Sequence, residues 1–470
     1  MPDQPSSTTR QLMSGVHLDT RYRNAVIDEL YEHGERYSAQ SYDVDAAAVL
    51  AEALHARRTA LRWAVPMALL WIAGLLFAGP LYVLYAAGCA ALSGAVALRA
   101  ARRPAARVTA GALRVLGGAV LAASAALAVA TARTADWPEV TAAFAGPVLM
   151  AGVAGAHRAA VWGRLRVIRS SYRVPTRPGR ISALIQADGM SPVTIYRDAT
   201  PFLGSGAVRD SLALATEVRG PTGAFDVSDV LRGIARAVEA VPGLAAQVDE
   251  RFLLPDEGVS HRRLPPWSPN GHPPSARWLR IVSRGLGSQL TTVFVQIRLD
   301  GPVLFVQQVT CALPPVRREF TVPGRAWSWP VRALTAPAAL PAELGAWSVR
   351  WMRRFPSPPG GPRSSIRELA AEPDLPPLAA ADAGRISRTV HLLVLGALRA
   401  TLRDQGLSAP GLDERHQESH VVHGGGIYIG NMAGGSFVTG DSGRAVGTTR
   451  HTSPGPTTNP DDDSWEDDLG

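Results

Sequence analysis

Four segments of this chain carry residue types that could do chemistry, and each lacks the partners that chemistry requires. Gly440-Asp441-Ser442-Gly443 repeats the nucleophile string of a serine protease. A reactive serine needs a histidine base and a carboxylate within hydrogen-bond reach, which four letters in a glycine-rich segment do not supply. His416, His420 and His423 could turn imidazoles towards one metal ion, but no cysteine or second ligand cluster accompanies them. Leu203-Gly204-Ser205-Gly206 lacks the glycine two places before the serine that a nucleophile elbow uses. The glycines of 424–447 lack the G-x-G-x-x-G order and the strand–helix setting of a dinucleotide fold. All 48 basic residues are arginine, which excludes a Walker lysine, a Schiff-base lysine and a kinase strand lysine. No catalytic residue, metal ligand or cofactor is therefore assigned. An enzyme at the membrane face, working through acids, arginines or serines unmarked by a motif, stays as the alternative.

The remaining chemistry is backbone pairing. Residues 424–447 read GGGIYIGNMAGGSFVTGDSGRAVG, with two β-prone bursts, Ile427–Ile429 and Ser436–Thr439. Strands this short gain stability by stacking on copies of themselves. The candidate self-association residues are Ile427, Ile429, Asn431, Gly434, Gly435, Phe437, Val438 and Gly440. The competing reading is a disordered tail. The acidic end, Asp461–Asp463 and Glu466–Asp468, would stay solvated and oppose uncontrolled stacking.

The elements around these segments begin with four apolar stretches, at roughly 62–79, 80–98, 113–132 and 139–156. Each approaches the ~20 apolar residues that cross a bilayer as a helix. Gly79–Pro80 separates the first pair. Arg57, Arg58 and Arg62 precede the first stretch, and Arg99, Arg102, Arg103, Arg107 and Arg114 lie between the second and third. Arg158, Arg164, Arg166 and Arg169 follow the fourth. Arginine collects in cytoplasmic loops, so two hairpins with both termini cytoplasmic are expected, in a multi-pass protein of the plasma membrane. No ionisable group falls near the middle of a stretch, which makes the bundle an anchor rather than a conduit. No signal peptide is expected, because residues 1–55 hold no apolar run.

The net charge of +8 is thereby a matter of topology, and nucleic acid is not an expected partner. Cys89 and Cys311, the two cysteines, lie in apolar surroundings and exclude a disulfide framework.

Five parts follow along the chain: 1–18 disordered, 19–58 short cytoplasmic helices, 59–157 a four-helix transmembrane module, 180–407 a cytoplasmic α+β domain, and 408–470 a flexible glycine-rich tail with an acidic end. Asp19 and Asp45 are expected to cap helices. Strands are expected at Arg180–Ala187 and Pro192–Arg197 around a turn at Asp188–Gly189, and near Leu212–Val218. Asp226 or Ser228 caps a helix with Val230, Leu231, Ile234 and Val238 inward. Thr292–Leu299 and Val303–Thr310 form a hairpin about Asp300–Gly301, with another strand at Arg318–Val322. A helix at 341–353, bearing Trp347 and Trp351, is expected on the sheet in preference to the bundle. The last long helix, 382–405, turns Ile386, Val390, Leu393 and Ala397 inward.

His17-Leu18-Asp19, the arginine-flanked helices, Pro201–Gly206 after a Val-Thr-Ile-Tyr strand, and Ser365-Ile366-Arg367-Glu368-Leu369 together resemble a group of uncharacterised integral membrane proteins common in actinobacteria. The resemblance implies membrane placement and carries no activity. The tail separately is similar to the glycine- and asparagine-containing amyloid signalling motifs at the ends of some bacterial immune and signalling proteins, which implies templated β-stacking. The expected function is a membrane-anchored cytoplasmic binding or signalling adaptor. Its partners would be the lipid bilayer and a protein, or a second copy, engaged through 424–447; its ligand is unassigned.

Overall fold

The computed structural model describes residues 6–33, 36–100, 104–132, 136–170, 179–197, 201–220, 225–256, 276–285, 288–321, 336–345, 348 and 362–412, with four two-residue strands beyond 420. Helix begins at once. In α1 (Ser7–Leu18), Ser6 accepts a cap hydrogen bond from the Thr9 amide at 3.1 Å. This corrects the expectation that 1–18 is disordered: Leu12, Met13 and Val16 fall on one helical face and are fully buried.

Asp19 caps α2 (Thr20–Ile27) by accepting from the Arg21 and Tyr22 amides, and α2 runs into a π-helical turn, Asp28–Glu32. Asp45 then caps α3 (Ala46–Ala100), accepting from the Ala48 amide at 3.0 Å. The helix breaks sharply at Gly79, whose φ of +22° departs from helical values. The Trp71 and Tyr82 rings meet edge to face at 5.8 Å, although eleven residues of straight helix would set their Cα atoms about 16 Å apart.

The bundle is completed by α4 (Pro104–Thr131) and α5 (Trp137–Ser170). Three helical segments are long and apolar enough to cross a membrane: Ala46–Phe77, Gly79–Val96 and Ala105–Ala130. The fourth apolar stretch is helical within α5, but among the described residues it is not one of these three.

A mixed α+β sheet domain follows. The expected strand over 180–187 is instead α6 (Arg180–Met190). Ile181 and Ile185 are four residues apart, a helical spacing, and both join the core that α1 and α2 build. Six strands follow: β1 (Val193–Tyr196), β2 (Ala207–Glu217), β3 (Ala246–Pro255), β4 (Arg277–Arg284), β5 (Leu290–Asp300) and β6 (Val303–Leu313). They stand in the order β1-β3-β4-β5-β6-β2, with β1 parallel to β3 and β4 antiparallel to both β3 and β5. The hairpin about Asp300–Gly301 forms as expected, with Gly301 at φ +56°.

Between β2 and β3 lies α7 (Val227–Glu239), whose Ser228 amide donates to Asp226 and whose Val230, Leu231, Ile234 and Val238 are buried. The strand expected at Arg318–Val322 is a helical turn, α8 (Arg318–Thr321), which carries Phe320 into the core.

The helix expected at 341–353 is described as α9 over 336–345, while Trp347 and Trp351 lie outside the described residues. It packs on the bundle instead of the sheet, because Ala336 and Leu340 join Met67, Tyr82 and Met150 and the Trp71 indole donates to the Pro337 carbonyl at 2.8 Å. After the short α10 (Ile366–Leu369) comes α11 (Pro377–Asp404). Its buried face uses Val394 and Leu398 after Ile386 and Val390, one position on from the expected Leu393 and Ala397.

Contacts divide the chain into two compact units. The first comprises Met1–Ala213, Ala235–Arg298 and Val306–Arg388, and holds every candidate site below apart from the tail. In the second, the Arg219 and Ser408 backbones exchange hydrogen bonds at 2.8 and 2.9 Å, and Leu402, Leu407 and Leu412 are buried.

Candidate functional site

The most developed site lies where α3 and α5 leave their apolar stretches. The segment Ala46–Phe77 has 32 residues, about 48 Å of helix, against a hydrocarbon core of about 30 Å. The apolar run begins at Trp63, so Glu52, His55 and Thr59 stand outside it. Glu52 falls on the face of α3 that buries Val49, Ala53 and Ala56, where an uncompensated carboxylate would be costly.

Two neighbours compensate it. Arg164 of α5 grips both carboxylate oxygens, Nε at 2.8 Å and Nη2 at 2.7 Å, and the His17 Nε2 of α1 lies 2.7 Å from Oε1. Burial alone would raise the Glu52 pKa, but the hydrogen bonds from Arg164 and His17 outweigh it and hold the carboxyl at about 2. Beside this lock is a recess of about 270 Å³, lined by His17, His55, Thr59 and Arg164 with the apolar Val161 and Val167. Burial lowers the His55 pKa, with Arg164, His17 and Arg62 adding to the effect against Glu52. The ionised Glu52 cannot serve as a general acid. What it does is fix one imidazole and one guanidinium at the wall of a cavity.

A second polar junction gathers motifs that are far apart in sequence. The Gly204 and Gly206 amides both donate to Glu368 Oε1 at 2.9 Å, while Glu368 closes a capping box with Ser365. A Cβ on Gly204 would overlap the Gln40 carbonyl, and one on Gly206 the Ala312 carbonyl, so both positions exclude a side chain. Arg367 is fully buried and donates to the Ser288 and Pro314 carbonyls at 2.7 and 2.9 Å. Nearby, Asp249 accepts from both Arg251 and Arg280, beside a crevice of only about 20 Å³. That volume admits a water, so this junction is a fastening. Ser205, in the rejected elbow string, is buried within it.

In the tail, β7 (Val422–His423) pairs with β8 (Gly426–Ile427), and β9 (Phe437–Val438) with β10 (Ala445–Val446), both antiparallel. Ile427 is thus partnered by Val422, and Phe437 and Val438 by Val446 and Ala445. Ile429, Asn431, Gly434, Gly435 and Gly440 lie outside the described residues, as do His416, His420 and Gly440–Gly443. The two bursts are not brought together among the described residues.

In the sequence His17 stands out only within a resemblance and Arg164 only as a topology marker, while Glu52, His55 and Thr59 carry no motif. The available signal was a lone acid among Val49, Ala53 and Ala56 on an arginine-flanked helix.

A family model described as an AbeC-like domain matches residues 211–434. The match runs from within β2 into the tail, and leaves α1 to β1 and the recess outside it. Neither curated proteins nor solved structures yielded a match.

Proposed function

We propose that this chain is a membrane-anchored adaptor. Its helical N-terminus and sheet domain face the cytoplasm, and it binds a protein partner or a second copy, with residues 424–447 as the self-associating segment. The observation that carries the reading is one shared apolar core. Leu12 and Val16 of α1 and Val26 of α2 pack with Val49 and Leu50 of α3, with Leu165 and Ile168 of α5, and with Val316, Phe320 and Ile366 of the domain. A domain built into the ends of its anchor is held against the membrane and moves with it, which suits a recognition platform.

The same core bears on topology. The start of α3 and the end of α5 contribute to one core, so an even number of crossings lies between them. Three candidate segments and an even count support α5 as a fourth crossing. The arginine pattern supports cytoplasmic termini in a plasma-membrane protein. The resemblance to actinobacterial integral membrane proteins agrees with this arrangement.

The alternative, an enzyme at the same membrane face, draws on the recess with its imidazoles. Against it, Glu52 is shifted away from neutrality, opposite to the shift that acid–base catalysis uses.

The test co-expresses two differently tagged full-length copies, and separately a pair lacking residues 420–470, and isolates each from membranes. Co-purification of the full-length pair and its loss in the truncated pair are expected. Equal recovery of the two pairs removes the tail from the proposal. If the full-length chain retains neither a copy nor any other protein, the adaptor reading fails.

A further inference from the structure

We propose that the recess between α3 and α5 binds the phosphate of an anionic phospholipid headgroup. Three observations converge on it. The first is depth. Thr59 lies one helical turn before Trp63, where the apolar run of α3 begins, and the recess continues on α5 from Ala160, just past His157. One turn is about 5.4 Å, and the polar layer on each side of a bilayer is about 5–8 Å thick, so the recess opens at headgroup level.

The second is donor chemistry. The Thr59 hydroxyl and the His55 imidazole line the recess and make no hydrogen bond among the described residues. Behind them Arg164 is fixed as a bidentate partner of Glu52, so the wall of the recess is preorganised. Glu52 offsets one positive charge, while Arg58 and Arg62 on α3 and Arg166 on α5 are exposed on the same stretches of helix. The local field therefore favours an anion.

The third is the apolar wall. Val161 and Val167 flank the polar groups, and Val167 is 41% exposed. A free phosphate ion would leave the exposed Val167 uncovered, whereas a glycerophosphate carries the carbon chain that covers it. The buried Glu52–Arg164–His17 lock explains the stability of this corner. It leaves without a role the His55 imidazole and the Thr59 hydroxyl, which line the recess beside Val167.

The full-length chain in phosphatidylcholine nanodiscs, with and without phosphatidic acid, tests the proposal by native mass spectrometry. Wild type is expected to retain phosphatidic acid over phosphatidylcholine by about tenfold, the worth of one charge-assisted hydrogen bond. The paired substitution His55→Ala and Thr59→Val is expected to abolish that preference. Gly163→Leu provides a second variant, because Gly163 lines the recess and a Cβ there meets nothing within 4 Å. It too should lose the preference while keeping the wild-type unfolding temperature. Arg385→Gln, on the exposed face of α11 and outside the recess lining, should keep it. Equal retention by wild type and both recess variants overturns the site. Displacement of the lipid by inorganic phosphate, with equal occupancy in discs lacking phosphatidic acid, assigns the recess to soluble phosphate and overturns the lipid.

Discussion

At the scale of single residues, Glu52 shows how a side chain with no motif can decide the behaviour of a membrane-proximal corner. It is 1% exposed and ionised, so removing its charge leaves Arg164 and His17 facing a neutral group in a desolvated site. Glu52→Gln is therefore expected to lower stability by roughly 3–5 kcal/mol. Pairing Glu52→Leu with Arg164→Leu should cost clearly less than the sum of the single changes, as measured by unfolding in detergent. The pH dependence has a definite sign. The carboxyl sits at about 2 in the fold, against a reference value of 4.5. A depressed folded value means that the full contribution is present above 4.5 and is lost as pH falls towards 2. At about 1.4 kcal/mol per pH unit the loss is on the order of 3 kcal/mol. Wild type should lose this increment over that window and Glu52→Gln should not. A wild-type curve no steeper than that of the variant would contradict the ion-pair account.

At the scale of elements, what could be read from sequence follows how local each signal is. Asp19, Asp45 and Asp226 lie at the starts of their helices, and Asp300–Gly301 at its hairpin, because capping and turn chemistry act within four residues. The errors arise where partners distant in sequence decide. Residues 181–187 alternate well enough to pass for a strand, but Ile185 is claimed by α1 and α2. The helix 336–345 is held by Trp71 and Tyr82, which come more than 250 residues earlier. β3 and β4 carry weak local signals, since Asp249, Glu250 and Arg251 interrupt one and proline-rich sequence precedes the other. In α1, Thr8, Thr9 and Ser14 make the segment look polar, although all three are buried. This last case gives a direct prediction. Leu12 is fully buried in the core of the helical N-terminus, so Leu12→Ala should cost about 2–5 kcal/mol. Deleting residues 1–18 should expose Val49, Leu50 and Phe320 and yield an aggregation-prone chain. A truncated protein that purifies as a monodisperse species with wild-type unfolding would show that α1 is dispensable.

At the scale of the whole chain, the arginine pattern and the shared core are independent arguments about the same crossings, and together they make a prediction that neither makes alone. Charge ranks the loops by side: the connection at 99–107 is cationic, whereas Gly79–Pro80 bears no charge. The core requires only that Val49 and Leu165 end on one side, whatever the path between them. Three crossings would satisfy the hydropathy of the three apolar segments and still violate the core, because α1 would then be separated by the bilayer from Leu165, Val316 and Phe320. Four crossings satisfy both. The deciding segment is the start of α5, where alanine gives a weak hydrophobic signal and Pro147 interrupts the backbone ladder. Cysteines introduced singly at Ser6, Ala105, Asp136 and Ser170, in a background lacking Cys89 and Cys311, report the side of each position to an impermeant thiol reagent on intact cells. Asp136 is expected to react from outside, and the other three only after permeabilisation. Reaction of Ser170→Cys on intact cells, with Ser6→Cys protected, would mean an odd number of crossings. The shared core and the adaptor geometry built on it would then fall together.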